Sequence, residues 1–260
     1  MPNAVILGSA FSAGRLGGRS LEPVEIPTRF GPATLHRYPG DRAAYVLFRH
    51  GAPHRLLPNQ VPYRAQAAAL REVGCDALLI TSSVGVMDAS VPLFEPLIVE
   101  DLLMPDNRLP DGSACTMFPA PVEGQGHLVI EEGLLSRVLS AQIEALIQRD
   151  RPVPVPRVVF TYVGGPRTKT AAENALWARL GAQVNSMSVG PEVVLANELE
   201  IPVAAVVVGH KHSVPGVRDR LDPAGMSESL RLSQAASERL VVQFLEEAKP
   251  VPFRNRLHRF

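Results

Sequence analysis

Five short apolar runs, most of them followed by a segment of helical period, constrain this chain more than any other feature. Residues 4–7, 44–48, 77–81, 158–163 and 203–208 are apolar nearly throughout and rich in β-branched side chains, as strands buried on both faces are. Helical patterns occupy 62–73, 134–148, 170–180, 192–198 and 228–247. This alternation predicts an α/β domain with helices on both sides of a largely parallel or mixed sheet. Pro62 suits a first helical turn, and Gly74 and Gly181 stand where helix C-terminal caps are expected. With no repeat and no linker, residues 1–260 read as one domain, with a core of about 4–247 and a basic tail at 250–260.

Composition narrows the classes. The chain is 46% hydrophobic and 20% charged, which is the balance of a packed soluble protein. Lys plus Arg equals Asp plus Glu at 26 each, so nucleic acid and acidic membrane surfaces are not expected partners. The tail arginines, Arg254, Arg256 and Arg259, read as solvated or subunit-facing. Cys75 and Cys115 lack redox or zinc spacing and suit a reducing cytoplasm. The N-terminal run carries no basic leader, and no stretch reaches the ~20 apolar residues of a membrane span. The expected location is cytoplasmic.

Three segments place small or basic donors just after a predicted strand, where open α/β sheets bind ligands. Leu7-Gly8-Ser9-Ala10 joins close backbone approach to a hydroxyl, or is simply a turn. Arg49-His50-Gly51 offers a guanidinium fork for two anion oxygens and an imidazole as a further donor. Its plainer reading is a structural ion pair and a surface histidine. Thr81-Ser82-Ser83-Val84-Gly85 reads as a strand end passing into a small-residue turn with hydroxyls and free amides. Gly-x-Ser-x-Gly, Walker and Gly-x-Gly-x-x-Gly patterns are absent, which disfavours a serine hydrolase, ATP and NAD.

A fourth segment, Asn185-Ser186-Met187-Ser188-Val189-Gly190-Pro191-Glu192-Val193-Val194, gives the set a direction. Together with Ser9, Arg49-His50-Gly51, the run from His54 through Pro58 and Val61 to Tyr63 and Ala65, Gly74-Cys75 and Gly165-Pro166-Arg167, it resembles the trimeric purine nucleoside and methylthioadenosine phosphorylases. The resemblance implies their single-domain fold, a mixed sheet flanked by helices, and phosphorolysis of an N-glycosidic bond to free base and sugar 1-phosphate. It implies inorganic phosphate as co-substrate, no cofactor, and a homotrimer with sites at the subunit interfaces. Phosphate would meet Ser9, Arg49, His50, Ser82, Ser83 and Ser188. Met187 would face the sugar, with His54 on a loop beside its 5′ end and Ser227 sensing the 5′ substituent. His127 would reach the neighbouring subunit's site, or be an ordinary loop histidine.

The base end departs from the family. Where Asp or Asn is usual, this chain has His210, followed by Lys211 and His212, and an earlier base-contact position is Lys169. Both changes move the pocket toward positive charge and suit an acidic or oxo-rich leaving base. His210 is the expected acid and His212 the second candidate. His210-x-His212 also has strand spacing for a metal, without a clear third ligand, and the two histidines alternatively just line a loop. A water-using nucleosidase and a non-catalytic nucleoside-binding protein remain as further readings.

Overall fold

The structure, a computed structural model, describes residues 2–11, 14–214 and 223–259. The chain runs β1 (Asn3–Leu7), β2 (Arg15–Leu16), β3 (Arg19–Ser20), β4 (Glu22–Ile26), β5 (Ala33–Arg37), β6 (Ala44–Phe48), α1 (Tyr63–Glu72), β7 (Ala77–Val86) and β8 (Pro96–Leu103). It continues through β9 (Gly126–Val129), α2 (Arg137–Asp150), β10 (Arg157–Tyr162), α3 (Ala171–Arg179), β11 (Val184–Ser186), α4 (Gly190–Glu198), β12 (Val203–His212), α5 (Pro223–Glu247) and β13 (Arg256–Arg259). The five expected strands and five expected helices are all present, with shifted ends.

Nine strands form one mixed sheet in the order β11-β10-β8-β12-β7-β1-β6-β5-β4. β1, β6, β7 and β12 are mutually parallel neighbours, as are β8, β10 and β11, whereas β12 meets β8 antiparallel. β11 also pairs antiparallel with β7, so β7, β12, β8, β10 and β11 close on themselves. Closure removes the open edges at that end of the sheet. At the other end the edge strand β4 is mostly exposed, with Pro23 and two glutamates that discourage further pairing.

β7 is the spine of this arrangement. The sequence pattern ends it at Thr81, but it continues to Val86, because β12 pairs with it from Val203 opposite Leu78 to His212 opposite Val86. Ser82 and Ser83 therefore project from a strand instead of a turn. The ladder shifts register between Gly209 and Lys211, leaving His210 as a bulge.

Helices cover both faces. α1 and α4 pack Ala65, Ala69, Leu70, Val193 and Ala196 against one side of the sheet. α2 and α5 pack Leu139, Ile143, Leu146, Leu240, Val241 and Phe244 against the other. Ser136 caps α2 by accepting from the Leu139 N–H, and Thr170 with Glu173 forms a reciprocal capping box on α3. Among the described residues no helix is long and apolar enough to cross a membrane.

The basic tail is part of the structure. β13 pairs antiparallel with β9, setting His258 opposite His127, and Arg256 and Arg259 form ion pairs with Glu131 and Glu200. His127 thus stands on a strand, where a loop was expected. Phe260 lies outside the described residues. Phe244, fully buried between α5 and the sheet, is expected to lower stability by about 3–5 kcal/mol when changed to Ala, read as a shift of the urea unfolding midpoint at constant slope.

Candidate active site

Arg49 leaves the end of β6 and its side chain is wholly buried. A guanidinium cannot shed its charge, so burial demands a partner. Nε donates to Glu192 Oε1 at 2.6 Å and Nη2 to Glu192 Oε2 at 2.7 Å, with Thr81 O accepting from Nη2 at 3.0 Å. The two-oxygen fork expected for a bound anion is thereby engaged by Glu192, a correction that follows from burial. Nη1 remains directed at Gly8, and a Cβ there would stand 3.0 Å from it and 3.1 Å from Ser82 Cα. Glycine at position 8 lets the β1 turn, the guanidinium and β7 meet.

Glu192 also organises the start of α4. Its Oε2 accepts from the Val189 N–H at 2.9 Å. Val189 has φ of 70°, a region that costs a β-branched residue about 1–3 kcal/mol. The carboxylate bond holds that turn, which in turn aims Ser188.

Ser188 Oγ lies 3.1 Å from Ser82 Oγ and 2.9 Å from Ser186 Oγ, and Ser82 lies 3.2 Å from Ser186. The three hydroxyls form a triangle at the head of α4. Each can rotate, so bonds made among themselves can be exchanged for bonds to an anion. Ser82 and Ser188 belong to the sequence-read set, while Ser186 is new. Ser9 follows Gly8, half-buried, and Ser83 follows Ser82, also half-buried.

The histidines differ from expectation. His50 is buried, its ring stacks on exposed His54 at 4.5 Å, and its Nδ1 lies 3.0 Å from Leu56 O. Burial, then Arg49 and His54, push its pKa down to about 3. The neutral ring gives its one proton to the carbonyl, so Nε2 is an acceptor and His50 does not present the expected side-chain donor. His210 behaves similarly: burial, then Lys211 and Lys169, lower its pKa to about 4. Ser229 Oγ donates to His210 O at 2.6 Å and sits 3.2 Å from Nδ1, from which it accepts. His210 is therefore neutral at pH 7 and carries no acid proton of imidazolium type, contrary to expectation.

Positive charge at this end resides on the lysines. Lys211 pairs with Gly85 in the ladder, three residues beyond Ser82 on β7, or ~10 Å along the strand. Half-buried Lys169 feels Lys211, and burial followed by that repulsion lowers its pKa to about 8. Lys169 also lines a cavity of about 410 Å³ with Tyr162, Gly165 and Trp177. Met187 is half-buried, and its sulfur fills the space a Cβ on Gly165 would need.

The remaining residues lie apart. His212 is half-buried at the end of β12, and the bulge at His210 breaks the alternation that would have aligned the two histidines. Among the described residues no group of three or more His, Cys, Asp or Glu could hold a metal ion. Ser227 is exposed near the start of α5, two residues before Ser229. His127 is exposed on β9 and lines a separate groove with Thr116, Phe118 and Glu198.

A mixed α/β sheet thus carries a cluster of hydroxyls at its strand ends and a cationic corner beyond it, donors suited to polar and anionic ligands. The chain belongs to the phosphorylase superfamily, matched over residues 2–246, and is a nucleoside phosphorylase, a pentosyltransferase. It is 28% identical to S-methyl-5′-thioadenosine phosphorylase 1 of Puccinia graminis f. sp. tritici, over 92% of this chain and 85% of that one. It is 33% identical to a probable S-methyl-5′-thioinosine phosphorylase of Methanopyrus kandleri, over 70% and 68%. The 6-oxopurine nucleoside phosphorylase of Pyrococcus furiosus is 29% identical, over 82% and 79%. In fold it is similar to methylthioadenosine phosphorylase from Schistosoma mansoni in complex with adenine, with a TM-score of 0.79, 22% identity and coverage of 93% and 89%.

Glu192→Ala would leave the Arg49 guanidinium buried without its carboxylate. The expected loss is about 3–5 kcal/mol of stability, measured by denaturant unfolding, and an unchanged midpoint would show that the pair is not structural.

Proposed function

We propose that the chain cleaves the N-glycosidic bond of an oxopurine nucleoside by phosphorolysis, releasing free base and sugar 1-phosphate, and that Lys169 supplies the positive charge at the departing base. The serine triangle at the head of α4, with Lys211 farther along the β7–β12 pair and Lys169 close enough to feel it from the loop before α3, carries this reading. Ser82, Ser186 and Ser188 donate to phosphate, joined by Ser9, Ser83 and Nη1. Met187 packs on the ribose, while His54 and Ser227 border its 5′ end, where a methylthio group is an acceptable substituent.

The C1′–N bond breaks ahead of attack, and its electron pair stays on the base. The cationic sugar is then captured by a phosphate oxygen on the opposite face. Lys169, with a pKa of about 8, is protonated at pH 7 and neutralises the base by hydrogen bond or proton transfer. The hydrogen phosphate loses its proton on becoming the ester, which balances the proton gained by the base. No covalent intermediate and no cofactor enter the scheme. His210, neutral, contributes an acceptor at Nε2, and His212 and Lys211 complete the wall. The lysines favour an oxo group over an exocyclic amine, which cannot accept their hydrogen bonds.

In this reading the active form is a cytoplasmic homotrimer. The buried thiols Cys75 and Cys115 suit a reducing compartment, and exposed His127, at its groove, is the group placed against a neighbour. Sedimentation at micromolar concentration tests the assembly.

Incubation with inosine, methylthioinosine, guanosine, xanthosine and methylthioadenosine, with and without phosphate, tests the reaction. Base release that requires phosphate and favours oxopurines is expected. Release without phosphate would instead indicate a nucleosidase, and binding without product a non-catalytic protein. Because protonated Lys169 is the active form, kcat/KM should fall as pH rises through about 8. Lys169→Arg should move that limb upward, and Lys211→Met should do the same by removing the neighbouring charge. A limb unmoved by either variant would exclude Lys169 from the role.

A further inference from the structure

Asn185, the middle residue of β11, is 1% exposed, and neither its amide oxygen nor its amide nitrogen has a hydrogen-bond partner. Buried amides are ordinarily paired, because burial removes the water bonds both groups would otherwise keep. This fold satisfies such a group elsewhere: Asn197 donates to Leu134 O and Val193 O and accepts from Asn255. Among the described residues, Asn185 is the buried side-chain amide left with neither its donor nor its acceptor paired, whereas at Asn3, Gln66 and Asn174 the oxygen alone is buried without a partner.

Its surroundings belong to the cationic end of the site. Alternation along β11 turns Ser186 toward the serine triangle and Asn185 toward the opposite face. There Asn185 pairs through its backbone with Gly85, and Lys211 pairs with Gly85 from the other side. A Cβ on Gly85 would lie 3.2 Å from Asn185 Oδ1 and 2.5 Å from Ser213 Oγ. An amide and a hydroxyl thus crowd one glycine, which Lys211 faces in the ladder, and the absent side chain lets the buried amide approach the β7 backbone.

We propose that Asn185 is a specificity-determining residue that hydrogen-bonds the edge of the purine base, a role that rests on the phosphorolytic reading above. An amide presents a donor and an acceptor side by side, which is the complement of the C=O and N–H of a 6-oxopurine lactam. A rotated amide also fits the amidine edge of adenine. Asn185 accordingly supplies two-point binding, and Lys169 and Lys211 decide which edge is preferred. The unpaired amide of the free protein finds its partners in the substrate.

Asn185→Val tests this, since valine fills the strand position without polar atoms. Removing a buried group with no protein partner should leave the melting temperature equal or higher, whereas a structural hydrogen-bonding role would lower it. For the oxopurine nucleoside that the wild type turns over best, kcat/KM should fall roughly 10–100-fold with the phosphate KM within about twofold. The thermal shift produced by free hypoxanthine should shrink in the variant. Wild-type turnover with an unaltered Asn185→Val profile would overturn this role and leave phosphorolysis standing. A wild type without turnover would overturn phosphorolysis, and the hypoxanthine shift then decides Asn185 separately: a shift lost in the variant upholds base contact, and equal or absent shifts refute it.

Discussion

The Arg49–Glu192 pair is the contact on which the rest of the site depends. The Arg49 backbone N–H donates to Leu7 O at the end of β1, and Gln66 on α1 donates to its carbonyl. Its guanidinium reaches Thr81 on β7 and both carboxylate oxygens of Glu192 on α4. Elements from both halves of the chain are thus tied through one side chain. Burying these charges is unfavourable in itself, and bidentate geometry, with the Thr81 carbonyl on the guanidinium and the Val189 N–H on the carboxylate, offsets that cost. What the arrangement provides is position: the strained Val189 turn, and with it Ser188, is held where Ser82 can meet it.

The closed ring of strands does comparable work at the other end. Pairing of β11 with β7 brings Ser186 to Ser82 on one face and Asn185 to Gly85 on the other. The bulge at His210 lets the chain offer His210 to Ser229 on α5 while Lys211 still pairs with Gly85. Three neighbouring strands therefore carry Ser82, Ser186, Asn185 and Lys211, whose relative placement is set by backbone ladders, while Ser188 and Lys169 stand in the turns before α4 and α3.

Much of this was legible in the sequence, and the failures have physical causes. The apolar strands at 44–48 and 203–208 announce themselves, since burial on both faces leaves no polar interruption. The second half of β7 does not, because Thr-Ser-Ser-Val-Gly has turn-like composition and becomes strand only through β12 and β11. β4 (Glu-Pro-Val-Glu-Ile) and β5 (Ala-Thr-Leu-His-Arg) interrupt their apolar residues with polar ones and give no clear strand signal, and β8 is likewise absent from the expected strands. Ser82 and Ser188, which the fold brings within 3.1 Å of each other, can be singled out from their places at a strand end and within a recognisable segment. Arg49's partner lies 143 residues away, so its buried pairing could not be read locally. The state of His210 is hidden for a related reason: only the fold shows that burial, with Lys211 and Lys169 beside it, lowers its pKa.

The pairing of Arg49 has an electrical consequence. With its carboxylate partner in contact, the Arg49 corner is close to neutral overall, so an anion bound there, as proposed, would be held mainly by hydroxyl dipoles and one remaining guanidinium nitrogen. A phosphate held this way would keep most of its own negative charge, while the positive charge of Lys169 and Lys211 would lie on the far side of the proposed sugar position. The occupied site would then be a polarised gap, negative beneath the ribose and positive beside the base. Its electric field would lie along the bond to be broken, in the sense that draws electrons from sugar to base.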